Sequence, residues 1–232
     1  MNSKRAVEIM GFVTTTNDLL FRVIFTALWL IFITNLTWVR YSAREPTGKQ
    51  TMRIDIDRAA RHERQVHIVA LALFAAFWFG GIILYAILPS WIVFLSISLP
   101  DWFRLTMVCV TALSIPFTLW GYRMIGKNWV HALEPLKFQQ RKEETLVTSG
   151  PYHYVRNPIY LGAFTFIITL ALVAANWVVL LPALALVTIA YRQVGREEAM
   201  LIEKFGDKYR EYMKRTPRFI PKFKRERPRL NN

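Results

Sequence analysis

Two short polar clusters in this chain carry side chains that could do chemistry. Arg156-Asn157-Pro158 stands immediately before one apolar run, Ile159–Ala175, and Glu197-Glu198 follows the next, Trp177–Tyr191. Little more than Asn176 separates the two runs, so they should fold back as a tight helical hairpin with both polar ends at one membrane surface. A cation and two carboxylates far apart in sequence thereby converge. Pro158 suits a first helical turn, where its missing N–H costs nothing, and it pushes Asn157 out of helical geometry. The N–H groups left free at that helix start, with those of the Ser149-Gly150-Pro151-Tyr152 turn, could hold a carboxylate. The plainer reading is a capped helix with an interfacial Arg–Glu ion pair, and Tyr152, Tyr154 and Tyr160 as membrane-belt aromatics. These residues alone leave both readings open.

The frame around the clusters reads as a bundle of membrane helices. Hydrophobic residues make up 53% of the 232, and mean hydropathy is positive. A formal net charge of +14 is divided into basic blocks between apolar runs, which fits loops facing anionic lipid and not nucleic-acid binding. Leu19–Val39, Ile68–Leu88 and Trp102–Trp120 are each long enough to cross a hydrocarbon core, and with the hairpin they predict about five spans. The first is too long for a signal-peptide core and is expected to stay. Pro89 to Pro100 is apolar but too short to cross. Placing the N-terminus outside puts the basic segments Arg40–His67, Gly121–Ser149 and the region after Arg192 on the cytoplasmic side. Gly80-Gly81 marks a close helix contact, and Pro116 a kink. Arg196–Phe205 reads as a further helix ended by Gly206, with Asp207 able to cap another over Lys208–Arg215.

Several chemistries are excluded. No G-x-G-x-x-G follows a strand, and no phosphate-binding G-x-x-x-x-G-K-[ST] occurs. His62, His67, His131 and His153 lack metal-ligand spacing, and the lone Cys109 can form neither an internal disulfide nor a cysteine metal site. No run of acidic residues lies inside a span, as a cation-driven transporter would require.

The chain resembles the superfamily of isoprenylcysteine carboxyl and phospholipid methyltransferases. The resemblance rests on Leu146-Val147-Thr148-Ser149-Gly150-Pro151-Tyr152, on Val155-Arg156-Asn157-Pro158-x-Tyr160-Leu161-Gly162, and on Glu197-Glu198-x-x-Leu201-x-x-x-Phe205-Gly206-x-x-Tyr209-x-x-Tyr212. Arg215-x-Pro217-Arg218-Phe219-Ile220-Pro221 closes it, and Gly126-Lys127-Asn128-Trp129 is similar to a shorter family element. It implies an all-α, multi-pass transmembrane bundle whose C-terminal half builds a cytosol-facing pocket for S-adenosyl-L-methionine. It also implies a lipophilic acceptor that enters from the bilayer. Segment 1–120 would supply three spans and the basic 40–67 loop, 121–221 the methyltransferase core with its 159–191 hairpin, and 222–232 a basic tail. The host would be a bacterial-type inner membrane or an endomembrane.

Carried over residue by residue, the resemblance gives cofactor contacts to Leu146, Val147, Gly150, Tyr152, Asn157 and Tyr160. Glu197 or Glu198 would take the cofactor's polar end, and Arg156 would orient an anionic acceptor or hold the glutamate. Catalysis would rest on Arg156 and Glu197. Asn157 departs from the pattern, which usually has histidine there, and asparagine cannot titrate. A carboxylate acceptor, as on a prenylcysteine, needs only orientation; a phospholipid amine would need a base such as Glu197. A non-catalytic scaffold that keeps the fold, or a small transporter, is the alternative from another class.

Overall fold

The computed structural model describes residues 3–42, 79–87, 93–126 and 145–221. The Arg40–His67 loop beyond Ser42, most of the second expected span, the basic stretch 127–144 and the tail 222–232 lie outside the described residues. Among the described residues, seven α-helices follow one another: α1 Ser3–Ser42, α2 79–87, α3 Asp101–Ile125, α4 Pro151–Tyr154, α5 Pro158–Ala174, α6 Trp177–Phe205 and α7 Asp207–Arg215. No strand occurs among the described residues. Among the described residues, three helices are long and apolar enough to cross a membrane: α1 over Asp18–Val39, α3 and α6; α5 is shorter but apolar. The chain is an integral membrane protein.

Two boundaries differ from expectation for clear reasons. The run Trp177–Tyr191 does not end its helix at the interface, because no glycine or proline with breaking geometry intervenes before Phe205; α6 therefore carries Glu197 and Glu198 on the same rod as the span. Gly206, at φ 56°, takes the cap position before α7, and Asp207 sits in the first turn, where its charge suits the helix dipole.

The described residues divide into two compact units, one of 1–115 with 164–189 and the other of 116–163 with 190–232. In the first, Phe32 stacks on Phe166 at 3.9 Å and Phe25 meets Tyr85 edge-on at 4.9 Å, packing α1 against α5 and α2. Gly81 backs onto Val178 of α6, whereas Gly80 has nothing near it. Thr111 and Thr169 share a 2.7 Å hydrogen bond between α3 and α5, a contact worth about 0.6 kcal/mol in such bundles. The α5–α6 turn puts Ala175 at φ 48°, a left-handed conformation costing about 1–2 kcal/mol for a non-glycine residue. Ile97 N–H donating to the Ala175 carbonyl, and the Asn176 side chain accepting from Val178 N–H, hold that turn.

In the second unit, the C-terminal part of α3 lies against the first turns of α5. Gly162 permits this approach, since a Cβ there would run into the Thr118 side chain. Gly150, at φ 62° and ψ −134°, occupies backbone space that only glycine enters freely, and its added Cβ would stand 2.8 Å from Met124 Cγ. Both glycines set the start of α5 and the turn before it. Gly162→Val is expected to cost about 1–3 kcal/mol through overpacking, with part recovered by Thr118→Ala, as read by thermal unfolding in detergent.

Candidate functional site

Glu198 is the hub of the second unit. It is buried, at 2% exposure, on the polar end of α6. Its Oε1 accepts from Arg156 Nε at 3.1 Å and Asn157 Nδ2 at 3.0 Å, and Arg156 Nη2 also lies 3.0 Å away. Its Oε2 accepts from Arg218 Nε at 2.9 Å and from Arg218 Nη2. A carboxylate in this position would be costly if unpaired; here both oxygens are saturated with charged or amide donors. The same carboxylate holds the Arg218 guanidinium above its ordinary pKa.

Arg156 spends its remaining donors on the end of α7. Its Nη1 donates to the carbonyls of Met213 at 3.2 Å and Thr216 at 2.7 Å, satisfying acceptors that the helix end leaves open. Backbone bonds continue the joint: Arg156 N–H donates to Pro217 O at 2.8 Å and Asn157 N–H to Arg218 O at 3.3 Å. Tyr212 O–H donates to the Tyr152 carbonyl. The start of α5, the end of α6 and the segment after α7 are thus tied at one place.

Beside this joint lies a small hollow of about 80 Å³, lined among others by Leu146, Val147, Tyr152, Phe205, Tyr209 and Tyr212, with Arg156 at its wall. Leu146 and Val147 lie outside helix and strand, and their backbone groups take no backbone hydrogen-bond partner among the described residues. Burial pushes the hydroxyls of Tyr152, Tyr209 and Tyr212 above the usual phenol range, so all three stay neutral. The hollow offers aromatic faces, and peptide edges with no backbone partner among the described residues, which suit a planar heterocycle carrying donors and acceptors. Its volume is below the roughly 300–1,000 Å³ of a whole ligand site, so it fits one end of a nucleoside-sized molecule.

Glu197 points elsewhere. Its Oε1 accepts from Tyr160 O–H at 2.6 Å, and Gln193 also bonds it. The residues singled out from sequence therefore fall into three groups. Leu146, Val147, Tyr152 and Arg156 line the hollow; Asn157 and Glu198 belong to the buried joint; Tyr160 and Glu197 pair with each other. Gly150 turns the chain into α4 below Tyr152. Sequence reasoning missed Arg218, Tyr209 and Tyr212 as site residues. The tyrosines' three-residue spacing on α7 was the available signal, since it puts both on one face; Arg218 had none beyond its place in the closing motif.

Residues 102–208 match the family model described as phospholipid methyltransferase. The Schizosaccharomyces pombe protein-S-isoprenylcysteine O-methyltransferase is 38% identical over 97 residues, which is 41% of this chain and 40% of that protein. The Homo sapiens protein-S-isoprenylcysteine O-methyltransferase is 30% identical over 146 residues, covering 59% of this chain and 50% of the relative. The chain thus spans about half the length of the curated relatives it matches. A solved structure of the eukaryotic intramembrane Ras methyltransferase ICMT aligns with a TM-score of 0.50 at 20% identity, covering 85% of this chain and 67% of that one, a likeness of fold.

Removing one partner from a buried ion pair leaves the others unpaired, a loss of about 3–5 kcal/mol. Glu198→Ala is expected to destabilise the protein on that scale by thermal unfolding. Arg218→Ala should cost less, because its side chain is 34% exposed and water replaces its partner.

Proposed function

We propose that this chain is an S-adenosylmethionine-dependent methyltransferase acting on a lipophilic acceptor, because residues 102–208 match the phospholipid methyltransferase family model and the chain is similar to protein-S-isoprenylcysteine O-methyltransferases. The observation that carries the proposal is the aromatic hollow between the Leu146-Val147 edge and the Tyr209/Tyr212 face of α7. S-adenosylmethionine supplies a methyl group activated by a positively charged sulfur. Leu146, Val147 and Tyr152 would hold its adenine end through peptide edges and ring contact, with Phe205, Tyr209 and Tyr212 excluding water.

The two glutamates divide the remaining work. Glu198 has both oxygens committed to Arg156, Arg218 and Asn157, which supports a positioning role for this quartet. Of the two roles the family resemblance implies for Arg156, holding the glutamate is the one its bonds favour. Glu197 accepts from the neutral donors Tyr160 and Gln193 and has no cationic partner among the described residues, and we assign it to the ammonium end of the methyl donor. Asn157 donates to Glu198 as a neutral amide and takes no part in proton transfer.

The acceptor is proposed to be a prenylcysteine-type carboxylate. Such a nucleophile is already ionised at neutral pH, so the site needs to align it in a water-poor setting and needs no base. The site would face the cytosol of a bacterial-type inner membrane or an endomembrane, where the basic segments meet anionic lipid.

Titration with S-adenosylhomocysteine tests the reading. Binding heat and a raised unfolding temperature are expected. Glu197→Gln should weaken the affinity about tenfold, the loss of one charge-assisted contact, without lowering stability of the free protein. Absence of binding by the unmodified protein would overturn the proposal.

A further inference from the structure

The first unit contains a larger cavity that the methyl-transfer reading does not use. Its volume is about 540 Å³, within the range of whole ligand sites. Asp18 and Asp101, the first residues of two membrane spans, both line it, as does Asn176 at the α5–α6 turn. Span ends and a hairpin turn meeting at one cavity put its mouth at a membrane surface. Around it, Val93, Phe94 and Trp102 are 64%, 78% and 69% exposed, apolar groups suited to the interfacial zone of lipid.

The charges inside are balanced and sorted. Arg104 is buried, with Nε donating to Val173 O at 3.1 Å, Nη1 to Asp18 at 3.0 Å, and its guanidinium 3.7 Å over the Phe21 ring. The Tyr85 side chain also hydrogen-bonds Arg104. Arg22 also lines the cavity, one helical turn from Asp18, yet no carboxylate among the described residues lies within ion-pair distance of it. An arginine inside a span is costly without an anionic partner. At the mouth, Asp18 is half-exposed and Asp101 exposed. Two guanidiniums inside and two carboxylates at the rim sum to zero charge, with the positive pole deeper.

We propose that this cavity binds the headgroup of a zwitterionic phospholipid of the phosphoethanolamine class. The phosphate would sit between Arg22 and Arg104, and the ammonium would meet Asp18 and Asp101 at the rim. A glycerol headgroup would satisfy the arginines through the same phosphate but bring no cation to the two carboxylates. A choline headgroup would carry no N–H to donate to them.

The test uses the full-length protein in detergent, mixed with vesicles of phosphatidylethanolamine and phosphatidylglycerol, with retained lipid counted by native mass spectrometry. Preferential retention of phosphatidylethanolamine is expected. Arg22→Gln should lower it about tenfold. Ser98→Trp, which blocks the cavity from an exposed loop position without touching the helix packing, should do the same. Equal retention of the two lipids, or preference unchanged in both variants, would overturn the proposal. Soluble phosphoethanolamine serves as a competitor: displacement of the lipid only at large excess supports the lipid as ligand, while tight binding of the soluble compound without lipid retention would refute it.

Discussion

Everything at the polar end of this protein depends on keeping one carboxylate ionised where water does not reach it. Glu198 is buried on α6, and its charge is tolerable only because Arg156, Arg218 and Asn157 donate to both of its oxygens. The donors come from two separate stretches of chain, Arg156 and Asn157 before α5 and Arg218 after α7. Satisfying the carboxylate therefore fixes the residues before α5 and those after α7 to the end of α6. Arg156 extends the constraint by bonding carbonyls at the end of α7, whose tyrosines form one wall of the hollow. A buried ion cluster of this kind adds little net stability over apolar packing, but it defines a single arrangement of three segments. That is what a site assembled from distant segments requires.

The hinge points of the same arrangement are small residues. Gly162 brings α5 onto α3, and Gly150 allows the reversal that puts Tyr152 at the hollow. The aromatic walls and the ion cluster are then adjacent but chemically separate: one surface suits a nucleoside, and the other holds the surface in shape. Glu197, a single residue from Glu198, is bonded to Tyr160 and Gln193 instead, and has no cationic partner among the described residues.

Much of this was legible in the sequence. Two apolar runs joined by Asn176 bring Arg156 and Glu198 to one end, and the structure pairs them at 3.0 Å. Pro158 marks the start of α5, as its backbone chemistry requires. Of the two readings of the polar clusters, the structural ion pair is observed at Glu198, and the binding site is what we propose for the hollow beside it. Arg218 was not legible as Glu198's second partner, since nothing local tells where a chain folds back after a helix. Nor could periodicity separate Glu197 from Glu198, neighbours that point to different partners. The basic 40–67 loop falls almost wholly outside the described residues.

The central claim is that this framework supports methyl transfer to the carboxylate of a lipophilic acceptor. Incubating the membrane-embedded protein with methyl-labelled S-adenosylmethionine and a prenylated cysteine, then treating the product with base, tests it most directly. A carboxyl methyl ester is expected: label partitions with the lipid and leaves as volatile methanol on hydrolysis. Label absent from the lipid, or bound to it and stable to base as on an amine, would contradict the claim.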